Sequence, residues 1–129
     1  MAVSIKWHDK ELKKMVADTI KNTLEKACLL VEGDAKILCP IDTTRLRGSI
    51  THEVEETVAR VGTNVEYAAY VELGTGIHAE EGKGRKTPWV YKTEKGYFYT
   101  HGNKPHPYLR PALHKNEKKI LGLFRDLIK

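Results

Sequence analysis

The stretch DKELKKMVADTIKNTLEKACLLVEGDAKIL, residues 9–38, decides the architecture. Leu12, Val16, Ile20, Leu24, Ala27, Val31, Ala35 and Leu38 recur at steps of three and four, which lays one apolar stripe along an α-helix. Lys13, Lys14, Lys21, Glu25, Lys26 and Glu32 fill much of the other side. Asp9 is a good capping residue for the start, and Pro40 stops the pattern just after Cys39. Gly33 costs about 1 kcal/mol against Ala and allows a kink. A helix of nearly 30 residues spans about 40–45 Å, whereas a compact domain of this size is roughly 36 Å across. The helix is therefore expected to overhang its own domain and to continue its apolar stripe onto a neighbouring subunit.

Around that helix, the chain has the make-up of one globular unit. Its 129 residues suit a single domain, and 40% apolar with 30% charged residues argues against general disorder. The net charge of +5 and pI of about 9.2 suit an acidic partner, a membrane surface or nucleic acid. Lys and Glu are interspersed, so a solvated surface accounts for most of that excess. Cys28 and Cys39 lie on the same helix about 16 Å apart, beyond the roughly 7 Å that a disulfide spans. They read as small buried apolar residues of a reducing compartment. The start, Met-Ala-Val-Ser-Ile-Lys, lacks the apolar run of a signal peptide, and no later stretch approaches a membrane span. The expectation is a protein made and kept in the cytoplasm.

After the helix, Asp42 or Thr43 can cap a short helical turn that Gly48 ends. Ile50, His52 and Val54 alternate with Thr51 and Glu53 as in a half-buried strand, and residues 57–61 return as a second strand. Residues 66–73 read as a short helix ended by Gly74 and Gly76. The region 75–106 is an insert of different character. Residues 78–87 are polar and glycine-rich, a mobile loop by composition, and Trp89-Val90-Tyr91 and Tyr97-Phe98-Tyr99 flank Glu94-Lys95-Gly96 as a β-hairpin. A final helix starts near Tyr108, with Pro111 tolerable in its first turn and a stripe of Leu109, Leu113, Ile120, Phe124 and Leu127.

Catalytic and metal chemistry finds little footing. His8, His52, His78, His101, His106 and His114 are not paired at helix spacing, and no His-Glu-x-x-His or Cys-x-x-Cys pattern occurs. Gly74-Thr75-Gly76 and Gly82-Lys83-Gly84 complete neither a Walker nor a Rossmann pattern and read as turn glycines. No serine sits in a nucleophile elbow, and the cysteines lack a basic partner nearby in sequence. Neither an enzyme nor a metal or other cofactor is expected. Lys83, Arg85, Lys86, Trp89 and Tyr91 form a candidate interaction surface: aromatics can stack bases while basic groups hold phosphates, or the loop can order against a docking protein.

Three segments together resemble a known family. Pro40-Ile41-Asp42-Thr43-Thr44-Arg45-Leu46-Arg47-Gly48-Ser49-Ile50, Val61-Gly62-Thr63-Asn64-Val65-Glu66-Tyr67-Ala68-Ala69-Tyr70-Val71-Glu72-Leu73-Gly74-Thr75-Gly76, and His106-Pro107-Tyr108-Leu109-Arg110-Pro111-Ala112-Leu113 are similar, in order and spacing, to the head–tail joining (tail completion, neck) proteins of long-tailed phages. These are the gene-product-ten-like group related to minor tail protein Z. Thr44 stands where that family usually has Gly, and Leu73 replaces a commoner aromatic.

The resemblance implies an α+β fold, with a long N-terminal helix and a C-terminal helix packed on a small, mostly antiparallel sheet. It implies a homo-oligomeric ring, a hexamer, that completes the tail and meets the connector or stopper on one side and the tail tube or tail terminator on the other. DNA would pass through the channel without sequence-specific binding, and the protein would move from host cytoplasm to the virion. Asp42, Arg45 and Arg47 would then serve either as a local cap with solvated arginines or as intersubunit salt-bridge partners. The reading from a different class is a small basic nucleic-acid-binding module of a mobile element.

Overall fold

The computed structural model of the chain describes residues 2–4, 9–40 and 44–128. Helix α1 (Asp9–Leu38) is followed by α2 (Thr44–Ser49), strands β1 (Thr51–Glu55) and β2 (Val58–Gly62), and α3 (Ala68–Leu73). Two 3-10 turns (Gly76–His78, Glu80–Gly82), strands β3 (Trp89–Thr93) and β4 (Gly96–Thr100), α4 (Leu109–Arg125) and a terminal 3-10 turn (Asp126–Ile128) complete it. The fold is α+β. Its strands form two separate two-stranded antiparallel sheets, β1–β2 and β3–β4, in place of one small sheet. Only β1–β2 packs on α1.

Helix α1 runs unbroken through Gly33, which is solvent-exposed with open space around it. Its buried arc is Thr23, Ala27, Cys28, Val31 and Ala35, extended by Cys39 just past the last turn. From Ala27 that arc advances in strict four-residue steps, so Leu38, expected inside, points outward. Small residues on this arc let α4 approach closely. The first part of the helix is different. Residues 9–19 are exposed on every side, a rod about 16 Å long, with Leu12, Met15 and Val16 in water. The sequence stripe is real as a pattern, but none of the described residues covers its first turns.

The core joins Val31, Ala35 and Cys39 to Leu46 of α2, Ile50, Val65, and Tyr108 and Ala112 at the start of the last helix. Leu46 is fully buried, and α2 runs one residue beyond Gly48, its expected end. In the first sheet His52↔Val61 and Val54↔Ala59 face α1, while Glu53, Glu55 and Arg60 face out. Glu56 sits in the two-residue turn with φ 45°. The inward face of α4 is Ala112 and Asn116, with Ile120 packed alongside; Leu113 and Leu127 of the expected stripe are nearly half exposed. Asn116 is the unexpected core residue. Its Nδ2 donates to Asp34 Oδ2 at 2.6 Å and to the Ala112 carbonyl at 2.7 Å, tying α4 to α1.

Candidate interaction surface

The most heavily bonded place in the molecule is the corner where α3 meets α4. Tyr108, Leu109 and Arg110 begin α4, where backbone N–H groups have no intrahelical acceptor. Glu72, 7% exposed on the short helix α3, supplies the acceptor for all three. Its Oε2 accepts from the N–H of Tyr108 (2.6 Å) and Leu109 (3.3 Å), and its Oε1 from the N–H (2.9 Å) and Nε (3.1 Å) of Arg110. Burial alone would raise the Glu72 pKa, but the N–H groups of Arg110, Tyr108 and Leu109 and the guanidinium outweigh it and hold the carboxyl below its ordinary 4.5. Burial, with Cys39, Glu72 and Tyr67 nearby, pushes the Tyr108 phenol up to about 12. The far side of the Arg110 guanidinium grips Glu80 at 2.7 and 3.0 Å, anchoring the start of the polar loop.

The insert is pinched at a neck. Thr75 N–H donates to the Asn103 carbonyl, Ile77 N–H to that of His101, and Asn103 N–H to Thr75 Oγ1. Gly76 and Gly102 make this possible: a Cβ on either would stand 1.9 Å or 2.1 Å from the opposite carbonyl oxygen, and both have positive φ. Beyond the neck a groove of about 850 Å³ opens between α3 and the loop. Lys83, Arg85 and Trp89 line it together with Leu73, Glu80, Glu81 and Arg110. Arg85 lies 5.6 Å from the Trp89 ring centroid, a cation–π distance. Lys86 and Tyr91 are not in the groove lining; Tyr91 stacks on Phe98 at 5.7 Å, along the hairpin.

Hairpin β3–β4 has the register Trp89↔Thr100, Val90↔Tyr99, Tyr91↔Phe98, Lys92↔Tyr97 and Thr93↔Gly96, closed by Glu94 and Lys95. Its faces divide as Trp89, Tyr91 and Phe98 against Val90, Lys92, Tyr97 and Tyr99. Both faces are in water: Tyr97 is 73% and Tyr99 65% exposed, and Tyr91, Phe98 and Val90 are exposed as well.

The second group of sequence candidates lies elsewhere. Asp42 falls outside the described residues. Arg45 forms a solvent-exposed two-pronged pair with Glu66 at 3.3 Å and lies 5.8 Å from the Tyr67 ring centroid. Arg47 turns inward, and its Nη2 donates to the Cys39 carbonyl at 2.8 Å, fastening α2 to the end of α1. The structure thus keeps Arg45 and Arg47 on intrachain partners and groups Lys83, Arg85 and Trp89 around one groove.

Sequence reasoning passed over two further polar centres. Glu72 has a detectable signal, a carboxylate inside the otherwise apolar Ala-Ala-Tyr-Val-Glu-Leu. The other is His52, held between two glutamates of α1: Nε2 to Glu25 at 2.8 Å and Nδ1 to Glu32 at 3.1 Å. The Glu25 hydrogen bond, opposed by burial and aided by Glu32, raises the His52 pKa above its ordinary 6.5. Burial, reinforced by the same two carboxylates, raises the Cys28 thiol, leaving it a packing residue. Among the described residues no three His, Cys, Asp or Glu side chains are grouped to hold a metal ion, and no helix is long and apolar enough to cross a membrane.

The profile of the HK97-gp10-like family, described as a bacteriophage tail component, matches residues 8–74, just over half of the chain. The matched region covers α1, α2, the first sheet and α3, and stops where the insert begins. The similar segment around Tyr108 and Arg110 lies beyond it. No curated protein and no solved structure matches the chain.

Proposed function

Since the chain belongs to the HK97-gp10-like family of bacteriophage tail components, we propose that its copies close into a ring at the head–tail junction, completing the tail and joining it to the head. The observation that carries this reading is the bare first part of α1. An isolated amphipathic rod with Leu12, Met15 and Val16 in water has no reason to persist in a monomer, because helices draw most of their stability from covering an apolar face. A neighbouring copy supplies that cover, and a surface that meets a different surface on the next copy closes into a ring when the rotation between copies divides a full turn.

In this reading the ring is a hexamer in line with the family resemblance. The connector or stopper lies on one side and the tail tube or terminator on the other, and DNA passes through without base-specific contacts. The protein is assembled in the host cytoplasm and ends in the virion. The groove with Arg85 and Trp89, and the exposed Arg45, are the surfaces offered to those partners. The role is structural and asks for no catalysis.

Deleting the gene in its phage and examining lysates by electron microscopy tests the role. The expected result is full capsids and separate tails, with joining restored by the wild-type chain and not by a Leu12→Glu, Val16→Glu variant. Intact virions in the deletion strain would overturn it. Arg85 stacked on Trp89 in a basic loop also favours a second reading, nucleic-acid binding. That reading predicts single-stranded DNA affinity that falls steeply with salt.

A further inference from the structure

Hairpin β3–β4 exposes aromatic rings on both faces, so no single layer of its own chain can cover it. Tyr91, Tyr97, Phe98 and Tyr99 together leave roughly 450 Å² of residue surface in water, about half of the ~800 Å² per partner in a standard interface. Divided between two faces, that surface leaves each side of the hairpin with an uncovered aromatic pair, Tyr91 with Phe98 and Tyr97 with Tyr99. The hairpin and the loop before it are also basic: residues 78–95 contain Lys83, Arg85, Lys86, Lys92 and Lys95 against Glu80, Glu81 and Glu94.

The opposite sign lies on the first sheet. Its outward face and turn carry Glu53, Glu55 and Glu56, with Arg60 between the first two at 3.5 and 3.8 Å. Beneath β2, on the inward side, a cleft of about 250 Å³ opens between Cys28, Ala59, Val61, Leu113 and Ile120. A closed apolar site of ~150 Å³ already accepts a benzene ring, so the cleft has room for one aromatic side chain. Both sheets have only two strands, so each presents unpaired edges among the described residues.

We propose that the basic aromatic hairpin β3–β4 of one copy docks across the edge of the β1–β2 sheet of the next, its lysines toward the acidic outward face and one aromatic ring in the cleft on the inward side of β2. The contact joins unlike surfaces, as a ring requires. It deepens the ring reading and rests on it for the identity of the partner.

Charge reversal in the full chain tests it, with native mass spectrometry reading oligomer size and circular dichroism melting checking the fold. Lys92→Glu with Lys95→Glu should weaken assembly at least tenfold at low salt, and so should Glu53→Lys with Glu55→Lys. All four changes in one chain should restore assembly. Wild-type assembly in both single-sided variants, or no recovery in the combined one, would overturn the proposal. If Leu12→Glu with Val16→Glu dissolves the ring while the hairpin variants keep it, the ring stands and this contact falls. A wild-type chain that stays monomeric removes both. If Lys92→Glu with Lys95→Glu lowers single-stranded DNA binding yet leaves oligomer size unchanged, the hairpin is a nucleic-acid surface and the proposal is overturned.

Discussion

At the α3–α4 corner, one buried carboxylate receives three backbone N–H groups and a guanidinium, and the arginine it holds reaches on to Glu80. Past the neck of the insert, hairpin β3–β4 holds four aromatic rings in water and packs on no other element to a comparable degree. Both regions are rich in expensive groups, but the expense is compensated in different places. Inside the corner the compensation comes from within the chain, so its residues specify the fold. On the hairpin and the first turns of α1 it is left open, which points outward to assembly. Changes at the corner should therefore alter folding and leave surfaces intact, and changes on the hairpin should do the reverse.

The largest effect is expected at Glu72. Glu72→Ala strands the α4 N-terminus and should lower stability by about 3–5 kcal/mol in urea unfolding; a loss under about 1 kcal/mol would erase the contrast. pH sharpens the same point. The Glu72 pKa is lowered on folding, so its contribution is present above the ordinary 4.5 and is lost as pH falls below that value through the depressed one. Glu72→Gln should be less stable at neutral pH and should lack that component of acid unfolding.

The His52 bridge between β1 and α1 should give a smaller effect of opposite sign. Its pKa is raised on folding, so its contribution is full below 6.5 and disappears as pH rises through the raised value. NMR titration should place His52 above 6.5, and Glu25→Gln should bring it back toward 6.5; an unmoved midpoint would show that Glu25 does not hold the ring. The smallest folding effect belongs to the hairpin. Tyr97→Ser with Tyr99→Ser should stay within about 0.5 kcal/mol of wild type, and a loss above 2 kcal/mol would mean that the hairpin belongs to the folding core.

What the sequence disclosed follows the same division. The apolar period of α1, the alternation around His52 and Val54, and the Trp89–Tyr99 hairpin were all legible, because each is written in local spacing. Pro40 and Gly74 marked element ends for the same reason. The corner was legible only as an odd carboxylate in an apolar segment. The partners of Glu72 are hidden until α4, some 36 positions later, brings its N–H groups to it. Asn116 likewise reads as surface until Asp34 is found beside it, and Arg47 as solvated until it meets the Cys39 carbonyl. The groove joining Lys83, Arg85 and Trp89 to Arg110 is a product of the neck, which sequence spacing does not reveal. The exposure of Leu12 and Val16 was foreshadowed only through length, since a rod longer than its domain must leave part of its stripe uncovered.

Native mass spectrometry of the purified full-length chain at micromolar concentration tests the central claim most directly. A closed ring of one stoichiometry, a hexamer, that falls apart when Leu12 and Val16 become glutamate is the predicted spectrum. A folded monomer across the whole concentration range, with circular dichroism showing α1 intact, would contradict it.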